Sequence, residues 1–306
     1  MPRWSLLLSL IAELMACSTD GATNQVARSL VAEGVPIVSN VCVKLPEPWM
    51  SDGLAAQAQE AVLRKVADRY PLEEFLRDSP VARFVLDMQP LVDSQGKRNG
   101  QRLDLAFVAH GSLEAVRRKS LLDQLVSVGK SSARGLEARS GPLSETELAA
   151  RQLALASNDG IEESFVHFSA PVLDRVQLRG VHHQVVTYSE HSMVAAQKLD
   201  PRFSADAKFP NQWRPLTRTP AGGFAEGDAQ PYGGMGQYVK VTALVDAQGK
   251  PNGKLFIEAH LVFHEPREWF GGANLLGSKL PLAVQDNVRE FRRLLRQNSG
   301  QATVTK

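Results

Sequence analysis

The feature that most restricts the fold is a turn that the chain uses twice. LVDSQGKRNG (91–100) and LVDAQGKPNG (244–253) share eight of ten residues. Each contains Asn-Gly, the dipeptide that tolerates positive φ at a hairpin tip. Alternating apolar residues flank both tips, over Arg83–Val92 and Arg102–His110 in the first and Tyr238–Asp246 and Lys254–His264 in the second. Period-two alternation marks a half-buried strand, so two long antiparallel hairpins are expected. With one extra residue in the second copy, Asp104 aligns with Glu258 and His110 with His264. A helix follows each copy. The pattern predicts an α+β chain of two related domains from an internal duplication, each an antiparallel sheet with packed helices.

The remaining elements fit around these hairpins. Pro36–Leu45 alternates as a strand, and Asp52 is placed to cap a helix over Gly53–Asp68. A helix is expected over Ser112–Val128. The Gly/Ser/Arg-rich stretch that follows makes 129–143 a linker between a first domain (31–128) and a second (144–306). Ser144 and Glu147 have the spacing of a capping box for a helix to Ala156. Strands follow at Ser164–Val172 and Gln177–Tyr188, then a short helix at Glu190–Leu199. Residues 200–236 read as a long irregular loop, rich in Pro and Gly, with aromatic residues that suit a protein partner. A helix over Pro281–Gln297 closes the chain. Its Val284, Val288, Phe291 and Leu295 form a core stripe; Arg289, Arg292, Arg293 and Arg296 form a basic one.

The N-terminus carries an address. Arg3, an apolar run from Trp4 to Ala12, and small residues before a polar stretch have the order of a signal peptide over 1–18, followed by a tether over 19–30. LMAC (14–17) resembles a bacterial lipobox, which makes Cys17 the candidate for lipidation. Two acyl chains there would anchor the chain stably. Cys42, between Val41 and Val43, is expected as a buried thiol. No later apolar run approaches the roughly 20 residues a membrane span needs, so contact with the membrane is expected by lipid anchor only. The net charge of +2 is too small to imply a nucleic-acid partner by bulk charge.

The chemistry-bearing residues form no established motif. VGKSS (128–132) lacks the leading glycine of a phosphate loop, and GGMG (233–236) precedes a strand, the wrong context for a dinucleotide loop. His264-Glu265 lacks the second histidine of a zinc protease motif. His182 and His183 are adjacent in a strand and point to opposite faces. One alternative is a divergent metal-dependent or hydrolytic enzyme that gathers His182, His183, Glu190, His191, Glu258 and His260. No cofactor and no defined metal site are expected, and enzyme or not is left open, leaning towards not.

SDGLAAQAQEAVLRKVA (51–67), DLAFVAHGSLEAV (104–116), LDPRF (199–203) with FPNQWRPL (209–216), and WFGGANLLGSKLP (269–281) resemble an uncharacterised family of exported bacterial proteins. That resemblance implies export and supplies no active site. The ending from Tyr238 to Gln297 (hairpin, glycine-containing link, long amphipathic helix) resembles START-like helix-grip domains. This implies a cavity for a lipid or other apolar ligand, with Trp213, Trp269, Phe270, Leu275 and Leu276 as candidate lining. The expected function is a non-enzymatic binding protein of the cell envelope, periplasmic or lipid-anchored.

Overall fold

A computed structural model describes residues 23–38, 41–118, 121, 139–156 and 160–300. The two hairpins are present and lie side by side. β3 (Phe84–Val92) pairs with β4 (Arg98–His110), and β12 (Met235–Val245) with β13 (Pro251–His264). β4 and β13 then pair antiparallel from Lys254↔His110 to His264↔Gly100. Two separate sheets were expected. The described residues instead share one 11-stranded antiparallel sheet, because the inner edges of the hairpins satisfy each other's backbone groups. The register is symmetric about the Leu105–Ala259 pair, as two copies related by a local twofold axis would be.

The turns themselves differ from expectation. Asn99-Gly100 lies inside β4, and the tip is Asp93–Lys97, with Gly96 at φ 72°. Asp93 Oδ1 accepts from the amides of Gln95 and Lys97 at 2.8 and 2.9 Å; Asp246 does the same for Gln248 and Lys250 at 2.9 Å, with Gly249 at φ 76°. Asp, Gly and Lys of the repeated string thus build one turn twice.

The sheet continues from β12 through β8 (Ser192–Leu199) to β7 (Val176–Tyr188). One edge of β7 carries β6 (Ile161–Val172), which in turn pairs with β5 (Arg139–Pro142). Its other edge is shared by β8 and β9 (Gln212–Arg218). The short strands β10 (Phe224–Glu226) and β11 (Gln230–Pro231) pair with β9.

Three layers result. One face of the sheet holds the C-terminal helix, labelled α6 (Leu275–Gly300), through the expected stripe of Val284, Val288, Phe291 and Leu295, extended by Leu276 and Leu280. The opposite, outer face is covered by the N-terminal elements. α1 (Gln25–Ala32) and the ribbon of β1 (Val35–Val38) and β2 (Val41–Val43) pack on Val185, Ala196, Tyr238 and Val262. α2 (Ala56–Ala67) and α3 (Leu72–Leu76) pack on Ala106, Val108, Leu244 and Phe256. The GGMG string earns its glycines here. A Cβ on Gly234 would meet Pro36 O at 2.0 Å, and one on Gly236 would meet Leu30 at 2.5 Å. Only bare backbone lets the ribbon and α1 lie this close.

Several expectations are corrected. The tether does not reach residue 30: α1 buries Val26 and Leu30, and the Asn24 side chain donates to Val185 O and Val194 O at 2.9 and 3.1 Å. Pro36–Leu45 is not one strand but the β1–β2 ribbon, and Cys42 on its outer side is exposed. Asp52 does not cap α2, whose N-cap is Ala55. The helix expected at Glu190–Leu199 is β8. Its Ala, Gln and Lys favour helix, but the strand hydrogen-bonds on both edges, and tertiary pairing outweighs local propensity. Residues 200–236 are not irregular throughout: they hold a 3-10 turn at Pro201–Phe203 and β9 to β11. Of the expected helix at Ser112–Val128, α4 (Leu113–Arg117) is described, capped by Ser112. The capping box of Ser144 and Glu147 is present and starts α5 (Glu145–Ala149). Residues 129–138 of the expected linker lie outside the described residues, and Arg139–Pro142 form β5.

Candidate functional site

The densest polar chemistry lies buried on the outer face, at the seam between the hairpins. His260 of β13 directly opposes Asp104 of β4, and its Nδ1 bonds Asp104 Oδ1 at 2.6 Å. Its Nε2 faces Glu258 Oε2 at 3.4 Å. Arg102 pairs with the second oxygen of Asp104 at 2.8 Å. Glu258 and His260 are 0% exposed. The rings of Trp49 and Tyr238 close over the imidazole, with centroids at 4.7 and 4.8 Å.

These groups pin the segment 46–52 to the sheet. Glu258 accepts from the amides of Trp49 and Met50 at 2.6 and 3.2 Å. Lys240 Nζ donates to Met50 O and pairs with Asp52 Oδ1, both at 2.7 Å. Asp52 Oδ2 accepts from Ser189 and Ser192 at 2.9 and 2.8 Å, and Tyr238 donates to Pro46 O at 2.8 Å. An Asp–His pair is the start of a general-base system, but here Glu258 occupies the far nitrogen and solvent has no access. The cluster therefore fastens the N-terminal layer.

The pH response follows from the shifts. Burial alone would lower the His260 pKa, but hydrogen bonds and charge from Asp104 and Glu258 outweigh it and raise it above 6.5. Burial would raise Asp104, but His260 and then Arg102 outweigh it and lower it below 3.8. The imidazolium's contribution is complete below 6.5 and is lost as pH rises through the raised folded value. That of the Asp104 carboxylate is complete above 3.8 and is lost as pH falls through its depressed value. Urea unfolding is therefore expected to show an alkaline limb above 6.5; below it His182 and His264, held neutral by burial with pKa values lowered to about 3 and about 4, take stability away as pH falls. His260→Gln is expected to flatten the alkaline limb; an unchanged limb would remove His260 as its source.

The open site lies at one end of the same face. A groove of about 510 Å³ runs between α1, β1, the middle of β7, the end of β8, the 3-10 turn and Gly233-Gly234. His183 and Lys198 enter it from directly opposed positions on β7 and β8. His183 Nε2 bonds Glu163 Oε1, and the ring stacks on Phe165 at 4.8 Å. Arg202 lies over the other partner of that stack, 5.2 Å from the Phe165 centroid, and is held by Asp200 at 2.5 Å. Asn211 fixes the floor, accepting from Val181 N at 3.0 Å and donating to Asp200 O at 2.7 Å. Lys198 donates to Ser29 Oγ at 3.3 Å and, among the described residues, has no carboxylate partner.

The residues singled out from the sequence fall in separate places. His182 faces the α6 side, stacked on Phe168 at 4.4 Å, while His183 faces the groove. Glu190 and His191 form an exposed pair at 3.9 Å in the β7–β8 turn. Glu258 and His260 are in the buried seam. The expected His/Glu cluster therefore does not converge, because β-strand alternation sends neighbours to opposite faces. Among the described residues no three His, Cys, Asp or Glu side chains are placed to hold a metal ion.

The expected cavity residues are not among those lining the groove or the cavity under α6. Trp213, Trp269 and Leu276 are buried core, Phe270 packs against them, and Leu275 is half-buried. Trp269 packs on Trp213 and Tyr232, with centroids at 6.2 and 5.8 Å. The cavity under α6 lies elsewhere, lined by residues such as Leu103, Val239, Ile257, Val284 and Phe291, and holds about 50 Å³. The basic stripe of α6 is also dismantled: Arg292 is buried, and Arg289, Arg293 and Arg296 pair with Asp286, Glu290 and Asp78. The aromatic residues Phe203, Trp213 and Tyr232 of 200–236 are buried rather than presented.

Sequence reasoning missed Asp104, Lys198, Asp200, Arg202 and Asn211. A signal existed for Asp104, since both hairpins carry an acid at the matching position. Asp200-Pro201 is a cap signal for the 3-10 turn. Nothing local marks Lys198 or Asn211. No family model matches the chain, and no curated protein matches it.

Proposed function

We propose that the protein is an exported, non-enzymatic binding protein whose ligand site is the groove beside α1. The ligand is a small polar molecule with an anionic group, seated on Lys198. One observation carries this reading: an open groove of about 510 Å³ presents a lysine with no carboxylate partner among the described residues, beside fixed polar side chains. Ligand pockets occupy roughly 300–1,000 Å³ and use a few convergent polar groups. An apolar ligand has less support, because the cavity of about 50 Å³ under α6 is far below that range. A partner docking on the aromatic residues of 200–236 has less support too, since Phe203, Trp213 and Tyr232 are buried and Phe209 and Phe224 partly so. The hydrolytic or metal-dependent alternative lacks a converged constellation among the described residues.

Export and lipidation of Cys17 belong to the same proposal and rest on the N-terminal sequence, which lies outside the described residues. No described helix is long and apolar enough to cross a membrane. Duplication of the hairpins is likewise proposed. It is supported by the repeated string, the matching turns and the symmetric register, and α6 against the sheet supports the helix-grip likeness.

Native mass spectrometry of protein purified from the envelope fraction tests both parts. The expected spectrum shows a small bound mass that is lost in Lys198→Ala and in Ser204→Trp, which fills the groove from an exposed position. A bound mass unaffected by both variants, or none at all, would overturn the groove. The same spectrum reads the N-terminus: a chain starting at an unmodified Cys17, or at Met1, would overturn lipidation.

A further inference from the structure

The sheet face under α6 carries a row of polar side chains that its surroundings do not explain. Gln184 on β7 directly opposes Gln197 on β8, and Gln197 directly opposes Gln237 on β12. Directly opposed residues share a face, at about 5 Å between Cβ atoms. Their strand neighbours on that face, among them Val186, Ala195, Leu199, Met235 and Val239, belong to the core that α6 completes. His182, two residues before Gln184, extends the row on the same side. The three glutamines are 4% exposed and His182 is 2% exposed. Gln237 reaches the apolar cavity between the sheet and α6.

Among the described residues, the side-chain nitrogens of Gln184 and Gln197 and Nε2 of His182 have no hydrogen-bond partner. Buried polar groups are almost always satisfied, because one left without a partner loses its hydration and gains nothing in return. The adjacent row of Val186, Ala195 and Val239 shows that apolar side chains fit this face. Three neighbouring unpaired groups, two of them amide donors, therefore point to an acceptor from outside the protein. Its charge can be argued as well. The charged side chain that register brings nearest on this face, Glu162 opposite Val186, is an acid and repels an anion. Burial holds His182 neutral, with its pKa lowered to about 3, so it supplies no counter-charge.

We propose that the Gln184–Gln197–Gln237 row, with His182, binds an uncharged molecule through hydrogen-bond acceptor oxygens. The oxygens belong to ordered water or to a small neutral carbonyl or hydroxyl compound. Of the row, Gln237 lines the cavity of about 50 Å³ under α6, which admits a few waters or a small group at about 10–15 Å³ for each water. This site is separate from the groove and independent of it.

The test compares the full chain with Gln184→Met/Gln197→Met, a change that keeps volume and removes the donors. Native mass spectrometry reads an organic ligand, and oxygen-17 relaxation dispersion reads long-lived internal water. An added neutral mass that is lost in the double variant but kept in Ser204→Trp supports a compound in the row. With no added mass, loss of the slow water signal in the double variant supports water. If neither signal is present, or both persist in the variant, the proposal is overturned. A mass that leaves with Ser204→Trp alone belongs to the groove, and the row then stands or falls on its water signal. Should the double variant not fold, Gln197→Met and Gln184→Met are read singly by the same criteria.

Discussion

Glu258→Ala is expected to unfold about 3–5 kcal/mol more easily than the unaltered chain, the usual cost of breaking a buried charge pair from one side. At roughly 2–4 °C per kcal/mol for a chain of this size, the midpoint falls by about 10 °C. The loss has three sources. His260 loses one of the two acids that raise its pKa against burial, and the amides of Trp49 and Met50 lose their acceptor at 2.6 and 3.2 Å. Met50, fully buried in the second outer core, then loses its anchor. Urea midpoints measure the stability, and hydrogen exchange at Trp49 and Met50 reports the release. Glu258→Gln keeps an acceptor oxygen without the charge and is expected to fall between. A loss below about 1 kcal/mol for Glu258→Ala would mean that the N-terminal layer is held by apolar packing alone.

Arg292→Met is expected to cost about 3 kcal/mol, since it orphans several carbonyls at once. The guanidinium donates to Val108 O, Ala82 O and Arg83 O at 2.8, 2.6 and 2.9 Å. The geometry explains the need. β3 begins at Phe84, opposite Phe107, so beyond that pair β4 has no strand on its outer edge. Arg292 reaches from α6 into this notch and replaces the missing strand's donors. Burial alone, with no carboxylate on the group, lowers its pKa to about 10. Arg292→Lys is expected to recover little, because an ammonium cannot present the planar fork that meets several carbonyls. Equal stability of the Lys variant and the unaltered chain in urea would reject this role.

The sequence shows its hairpins, its helix stripe and its capping box because each is a local pattern with a fixed period. Alternation around the repeated turn marks β3, β4, β12 and β13, and a 3.6-residue stripe marks α6. β8 was not legible, since SMVAAQKL has ordinary helix formers and becomes a strand only between β7 and β12. The basic stripe misled for a related reason. Spacing puts Arg292 with Arg289, Arg293 and Arg296, but only the notch beside β4 decides that Arg292 turns inward. The site was less legible still. The groove joins residues from α1, β1, β7, β8 and the stretch 200–236, which no single window of sequence contains.

What the sequence by itself determined is therefore local: turn chemistry, strand alternation, helix faces and the N-terminal order that predicts export. Each depends on contacts within a few residues, so composition and spacing are enough. The tertiary structure decided that the hairpins share one sheet, that His260 is enclosed by Asp104 and Glu258, and that Lys198 opens onto a groove. These depend on which strand edges meet and which face each side chain takes. A one-residue change of register would reverse every such assignment, and register between distant strands is fixed only when the whole sheet has formed.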